Sequence, residues 1–150
     1  MRSENPFGCN HERMAGWLCT ECGRRFGRTR QSHVCEPAAS LEDWLASRPT
    51  SERRAAEAVL QHLRKLGPIV VEAVSVGILV KRARTFVEMR PKGDRLALSF
   101  LLSSALVSPR IVRTIRTSAH RVAQFVDLRS VTDVDDELRS WLAESYLASA

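Results

Sequence analysis

The chain has 150 residues, 44% hydrophobic and 27% charged, a balance that excludes wholesale disorder and suits one compact domain plus a small appendage held by something other than burial. No run approaches the roughly 20 apolar residues needed to cross a bilayer, because "IVVEAVSVGILV" and "LALSFLLSSALV" are broken by Glu72, Ser75, Ser99 and Ser103. The formal net charge of +6 permits attraction to polyanions, and an ordinary solvated surface accounts for it equally well.

The first segment, "MRSENPFGCNHER", has an early Arg2 but no apolar stretch behind it, so no secretory signal is expected and a cytoplasmic location is inferred. Thiols there stay reduced. All four cysteines fall within the first 35 residues, which suits metal ligands or a redox pair better than a disulfide framework. Cys19-Thr20-Glu21-Cys22 gives the tight turn that aims two sulfurs at one point, and Gly23 follows where such a turn often needs positive φ. His33 and Cys35 come after a gap of ten residues and complete a tetrahedral set for a structural Zn2+ ion, with Phe26 placed over the site. The rival reading is a thioredoxin-like redox pair, prompted by Trp17. It wants a strand before the pair and a helix opening at it, but no strand-like run precedes Cys19, and Gly23 with several arginines follows Cys22. Cys9 and His11 are further donors upstream, too few for a complete independent site; replacing a ligand, building a second partial site and having no metal role all fit them.

The spacing of the last two ligands limits what this segment does. In a DNA-reading finger they lie roughly three to five residues apart on one helix. His33 and Cys35 have one residue between them, and two steps along a helix is about 200° of rotation, so they share a face only in an extended or turn segment. A ribbon or knuckle is expected. Arg24, Arg25, Arg28 and Arg30 are placed either to touch phosphates, which position a nucleic acid without specifying it, or to form a solvated rim.

Pro37 and Pro49 punctuate a linker, and within it Ser40 with Asp43 begins a short helical turn carrying Leu41, Trp44 and Leu45. A longer helix is predicted from Thr50 or Ser51 to Leu66, with Ala56, Val59, Leu60 and Leu63 on one stripe and Gly67-Pro68 ending it. Beyond Pro68 the texture is that of consecutive antiparallel strands, broken at Gly77, around Arg82 to Arg84, and at "PKGD". In "RTFVEMR", Phe86, Glu88 and Arg90 alternate with Val87 and Met89. In "RLALSFLL", Leu96, Leu98 and Phe100 alternate with Ala97, Ser99 and Leu101. "RVAQFVDL" reads as a further strand, whereas "SSALVSPRIVRTIRTSAH" fits strand and loop alike. The last helix is predicted from near Asp133, with Asp135, Asp136 and Glu137 in its first turn and Val134, Leu138, Trp141, Leu142 and Tyr146 on its apolar stripe.

The fold class expected is therefore α+β: an antiparallel β-meander packed by an N-terminal and a C-terminal amphipathic helix, with a small N-terminal zinc ribbon or knuckle. The divisions expected are 1–38 for the zinc-binding segment, 39–50 for the linker with its short helix, and 51–150 for the α+β domain. The run "HLRKLGPIVVEAVSVGILVKRARTFVEMRPKGDRLALSF", then "SPRIVRT", "HRV" and "DVDDELRSWLAESY", resembles the domain-of-unknown-function 5655 family over about residues 45–150. Trp17, Cys19, Cys22, Gly23, Arg24, Phe26, Gln31, His33 and Cys35 resemble the segment that precedes this domain in some members. The resemblance implies the fold and brings no established activity.

No Gly-rich phosphate loop, nucleophile elbow or His-Glu-x-x-His helix is present. His62 is expected on the open surface and His120 at the edge of a loop. Lys81, Arg82 and Arg84 beside Phe86 are the candidate anion or nucleic-acid contacts of the main domain, with Arg110, Arg113 and Arg116 expected nearby. An edge strand protected by its charges is the plainer account. Three functions fit. One is a non-enzymatic, zinc-containing binding module of the bacterial type that contacts nucleic acid through its backbone. Another is an adaptor whose zinc unit docks a protein partner, and the third is a small-ligand or catalytic domain using a pocket between sheet and helices lined by Lys81, Arg84 and His120.

Overall fold

The computed structural model describes residues 17–33 and 40–150; the proposed ligands Cys9, His11 and Cys35 lie outside them. Strands β1 (Trp17–Leu18) and β2 (Arg25–Phe26) pair antiparallel, Trp17 opposite Phe26 and Leu18 opposite Arg25. Helix α1 (Leu41–Ala46) starts where the Ser40 side chain accepts a hydrogen bond from the Asp43 N–H. Helix α2 (Thr50–Leu66) buries Ala55, Ala56, Val59, Leu60 and Leu63 along one stripe. It ends at Gly67, whose φ of 155° favours glycine and where a Cβ atom would strike the Tyr146 hydroxyl.

Six antiparallel strands follow: β3 (Val70–Val74), β4 (Gly77–Lys81), β5 (Thr85–Lys92), β6 (Arg95–Leu102), β7 (Arg113–Ser118) and β8 (Arg121–Leu128). A 3-10 turn (Val131–Asp133) leads into helix α3 (Asp136–Ala148). The fold class is the expected α+β, with helices flanking an antiparallel sheet, but the strand order is β3-β4-β5-β6-β8-β7, so the meander holds only through β6. The chain then passes to the outer edge, forms β7, and returns as β8 between β6 and β7. Composition explains the exchange. β8 buries Val122, Gln124, Val126 and Leu128 on alternate positions, whereas β7, Arg-Thr-Ile-Arg-Thr-Ser, buries none and suits an edge. The segment that fitted strand and loop alike is thus both, a loop over 103–112 and then an edge strand.

The register places Ile78, Val87, Met89, Leu98, Phe100 and Val126 on the face that α2 and α3 cover. Trp141 of α3 stacks on Phe100 with centroids 6.1 Å apart. Phe86 departs from the alternation expected of β5. It is buried beside Val87, next to an irregularity in the β4–β5 pairing, and meets the Tyr146 ring edge-on at 6.0 Å. His62, expected on the open surface, is half-buried, and its Nε2 lies 3.0 Å from the Arg139 carbonyl of α3.

Gln124 is fully buried in this apolar face. Its side-chain oxygen accepts from the Leu106 N–H at 2.6 Å and its nitrogen donates to the Ser104 carbonyl at 3.1 Å, tying the 103–112 loop to the core. Gln124→Leu leaves both loop groups without these partners and should lower unfolding free energy by about 1–3 kcal/mol in urea titrations. At the start of α3, Asp135 accepts from the Leu138 N–H at 3.0 Å and pairs with Arg110 at 2.7 Å. The backbone bond first, and Arg110 after it, hold this carboxyl below its ordinary value against the opposing effect of burial. Because the folded-state value is the depressed one, the stabilisation is complete above the unfolded value near about 4 and is lost as pH falls through the folded value. The stability gap between the native chain and Asp135→Asn, followed by thermal melting, should therefore stay constant near neutrality and shrink in acid.

Candidate metal centre and the basic cleft beside it

The Cys19–Cys22 turn closes on itself through the backbone. The Gly23 N–H donates to the Cys19 carbonyl at 2.8 Å, and the Cys19 N–H donates to the Arg24 carbonyl at 2.9 Å. Gly23 takes φ of 72°, the left-handed geometry expected of it. Cys19 and Cys22 are buried, and their sulfurs lie with a His33 ring nitrogen inside a 4.8 Å group. The Cys22 sulfur is 3.4 Å from His33 Nε2. On the other side of the ring, His33 Nδ1 donates to the Gln31 carbonyl at 2.7 Å, which fixes the tautomer and turns the Nε2 lone pair toward the thiols. Phe26 stacks on the same ring at 4.0 Å and Trp17 meets it edge-on at 5.9 Å. Two converging sulfurs and an oriented imidazole are a donor set suited to a borderline-soft dication. Residues 17–33 hold these groups on strands and turns without a helix, as the ligand spacing requires.

This hairpin rests on the sheet face opposite the helices. Glu72 of β3, buried, accepts from the Arg25 N–H at 3.2 Å and lies 2.9 Å from Lys81 Nζ and 3.7 Å from Arg24 Nε. Lys81 also donates to the Arg25 carbonyl at 2.6 Å and sits 5.1 Å from the Phe26 ring centroid. Lys81 and Arg24 are therefore engaged in holding hairpin to sheet. Arg82 turns the other way, donating to the Tyr146 carbonyl near the end of α3 at 2.7 Å with its guanidinium 4.0 Å from the Tyr146 ring centroid. Arg110, expected near these residues, is instead held at the start of α3 by Asp135 and by the Asp133 carbonyl. Arg113 and Arg116 lie on the edge strand β7.

Between hairpin and sheet edge is a cleft of about 470 Å³, lined among others by Arg25, Arg28, Gln31, Leu79 and Arg84. Arg25, Arg28 and Arg84 are exposed, and no ion pair engages them among the described residues. Arg30 is exposed beyond the cleft lining. His120, in the β7–β8 turn, does not line the cleft with Lys81 and Arg84. Two roles escape sequence reading. Gln31 acts through its carbonyl, which any residue supplies, and Glu72 reaches Arg25 across 47 positions.

Residues 41–149 match the family model described as Domain of unknown function (DUF5655). The chain belongs to this family. No curated protein and no solved structure matches it. The DUF5655 domain supplies Glu72, Lys81, Arg82 and Arg84, and the hairpin ahead of the match supplies Cys19, Cys22, His33, Arg24, Arg25 and Arg28. Lys81→Met leaves the Glu72 carboxylate buried without its nearest cation and should cost about 3 kcal/mol in urea unfolding, most of it recovered in the double variant with Glu72→Gln.

Proposed function

We propose that this chain is a non-enzymatic, zinc-containing binding module that contacts nucleic acid through its backbone phosphates. In this reading Cys19, Cys22, His33 and Cys35 hold a structural Zn2+ ion, and the ion supplies no chemistry beyond fixing a hairpin too small to be held by burial. What supports the metal is the fit of the donors: the His33 tautomer already directs Nε2 at the thiols. Purified protein should carry about one zinc per chain, and the cobalt-substituted form should show thiolate charge-transfer absorption. A zinc-free preparation with the same hairpin structure by nuclear magnetic resonance would remove the metal from the account.

The nucleic-acid part rests on one observation, that Arg25, Arg28 and Arg84 line a cleft while the carboxylate of Glu72, outside its lining, is already met by Lys81 and Arg24. Positive charge is left facing outward, with Arg30 exposed on the same hairpin. Phosphate contacts of this kind carry a steep salt dependence. Replacing Arg25, Arg28, Arg30 and Arg84 together by Gln should reduce the slope of log affinity against log salt by about three to four, each lost phosphate contact counting for just under one. An unchanged slope rules the cleft out as the binding surface. An affinity insensitive to salt points to a protein partner held by apolar contact.

A further inference from the structure

The sheet face away from α2 and α3 is divided in charge. At one end Arg90 pairs with Glu88 at 3.2 Å and Arg95 with Asp127 at 3.1 Å. At the other end Arg84, just before β5, and Arg121, the first residue of β8, have no acidic partner among the described residues. Burial first and the charge of Arg84 second lower the pKa of Arg121, so the two guanidinium groups lie within electrostatic reach of each other. A bound anion relieves such a pair.

A second cleft, of about 420 Å³, opens on this face, and its lining joins Arg121 to Ser99, Leu101, Ile115, Ala123 and Phe125, and to Glu88, whose charge Arg90 already meets. Thr85 lines both this cleft and the basic one beside the hairpin, so the two meet at the end of the sheet where Arg84 and Arg121 lie. Arg113 of β7 stands 5.6 Å from the centroid of the Phe125 ring. An apolar cleft with an aromatic wall next to unpaired guanidinium groups is the combination that accepts an unstacked base beside its phosphate. A duplex keeps its bases inside and offers this cleft nothing to fill it.

We infer that the nucleic acid is single-stranded, with a backbone phosphate between Arg84 and Arg121 and the adjoining base in the sheet cleft against Phe125 and Ile115. This rests on the phosphate-binding reading above and adds to it the class of strand. The test measures fluorescence anisotropy of the full chain with a short labelled oligothymidylate, with a duplex of the same length, and with inorganic polyphosphate as competitor. The single strand should bind at least about tenfold more tightly than the duplex, stacking on an aromatic ring being worth that much. Arg84→Gln with Arg121→Gln should weaken strand binding by about tenfold and reduce the salt slope. Phe125→Leu should weaken the strand and leave polyphosphate competition unchanged. Should Phe125→Leu lose its fold by circular dichroism, amide exchange on the unaltered protein replaces it, with strand-induced protection expected at Ile115 and Ala123. Equal affinity for strand and duplex, or an unaffected Arg84/Arg121 double variant, overturns this inference and leaves the phosphate reading standing. Binding of a labelled acidic peptide, with no strand binding, also overturns it. Failure to bind any of the three polyanions defeats the phosphate reading itself.

Discussion

A single buried carboxylate joins the two parts of this protein. Glu72 meets Lys81 on the neighbouring strand and reaches the hairpin through Arg24 and the Arg25 N–H, while Lys81 returns a hydrogen bond to the Arg25 carbonyl. Both backbone groups of Arg25 are thus taken by the sheet, so the hairpin is held by its main chain as well as by charge. Ions this buried favour a fold only when each is paired and hydrogen-bonded, which makes the contact sensitive to geometry. The cleft arginines owe their outward position to it, because β2 carries Arg25 and leads directly to Arg28.

The two parts are stabilised by different physics. The DUF5655 domain has an extensive core, with α2 and α3 closing one face of a six-stranded sheet around Leu98, Phe100 and Trp141. The hairpin has Cys19, Cys22 and Phe26, with Trp17 packed beside them. So small a cluster does not by itself offset the chain entropy it must overcome; docking on Glu72 adds to it, and the Cys19, Cys22 and His33 group could hold a metal ion that would add more. The same hairpin carries the Cys19, Cys22 and His33 group and the cleft arginines Arg25 and Arg28.

Much of this was legible from local pattern. The stripe of α2, the apolar positions of β6 and β8, and the acidic start of α3 follow from periodicities of 3.6 and 2, and they appear where expected. The group of Cys19, Cys22 and His33 was legible too, because metal ligation demands particular residue types at close spacing. Other readings met competition from packing. Phe86 obeys the alternation of its strand in sequence but is drawn into the core beside Tyr146. His62 looked like a surface residue until α3 came to lie against it. The basic run Lys81, Arg82, Arg84 read as one patch, yet its members face three tasks, pairing with Glu72, closing the end of α3, and lining the cleft.

The sequence by itself determined the α+β class, the helices and most strands, and the chemistry gathered in the first hairpin, because each depends on residues within a few positions of one another. Only the tertiary structure decided that β8 inserts between β6 and β7, that Gln124 anchors a loop from inside the core, and that Glu72 binds the hairpin. These depend on which distant surfaces meet. A cation reads the same in sequence whether a carboxylate waits beside it or not, and folding alone divides the arginines into those spent on structure and those left facing outward.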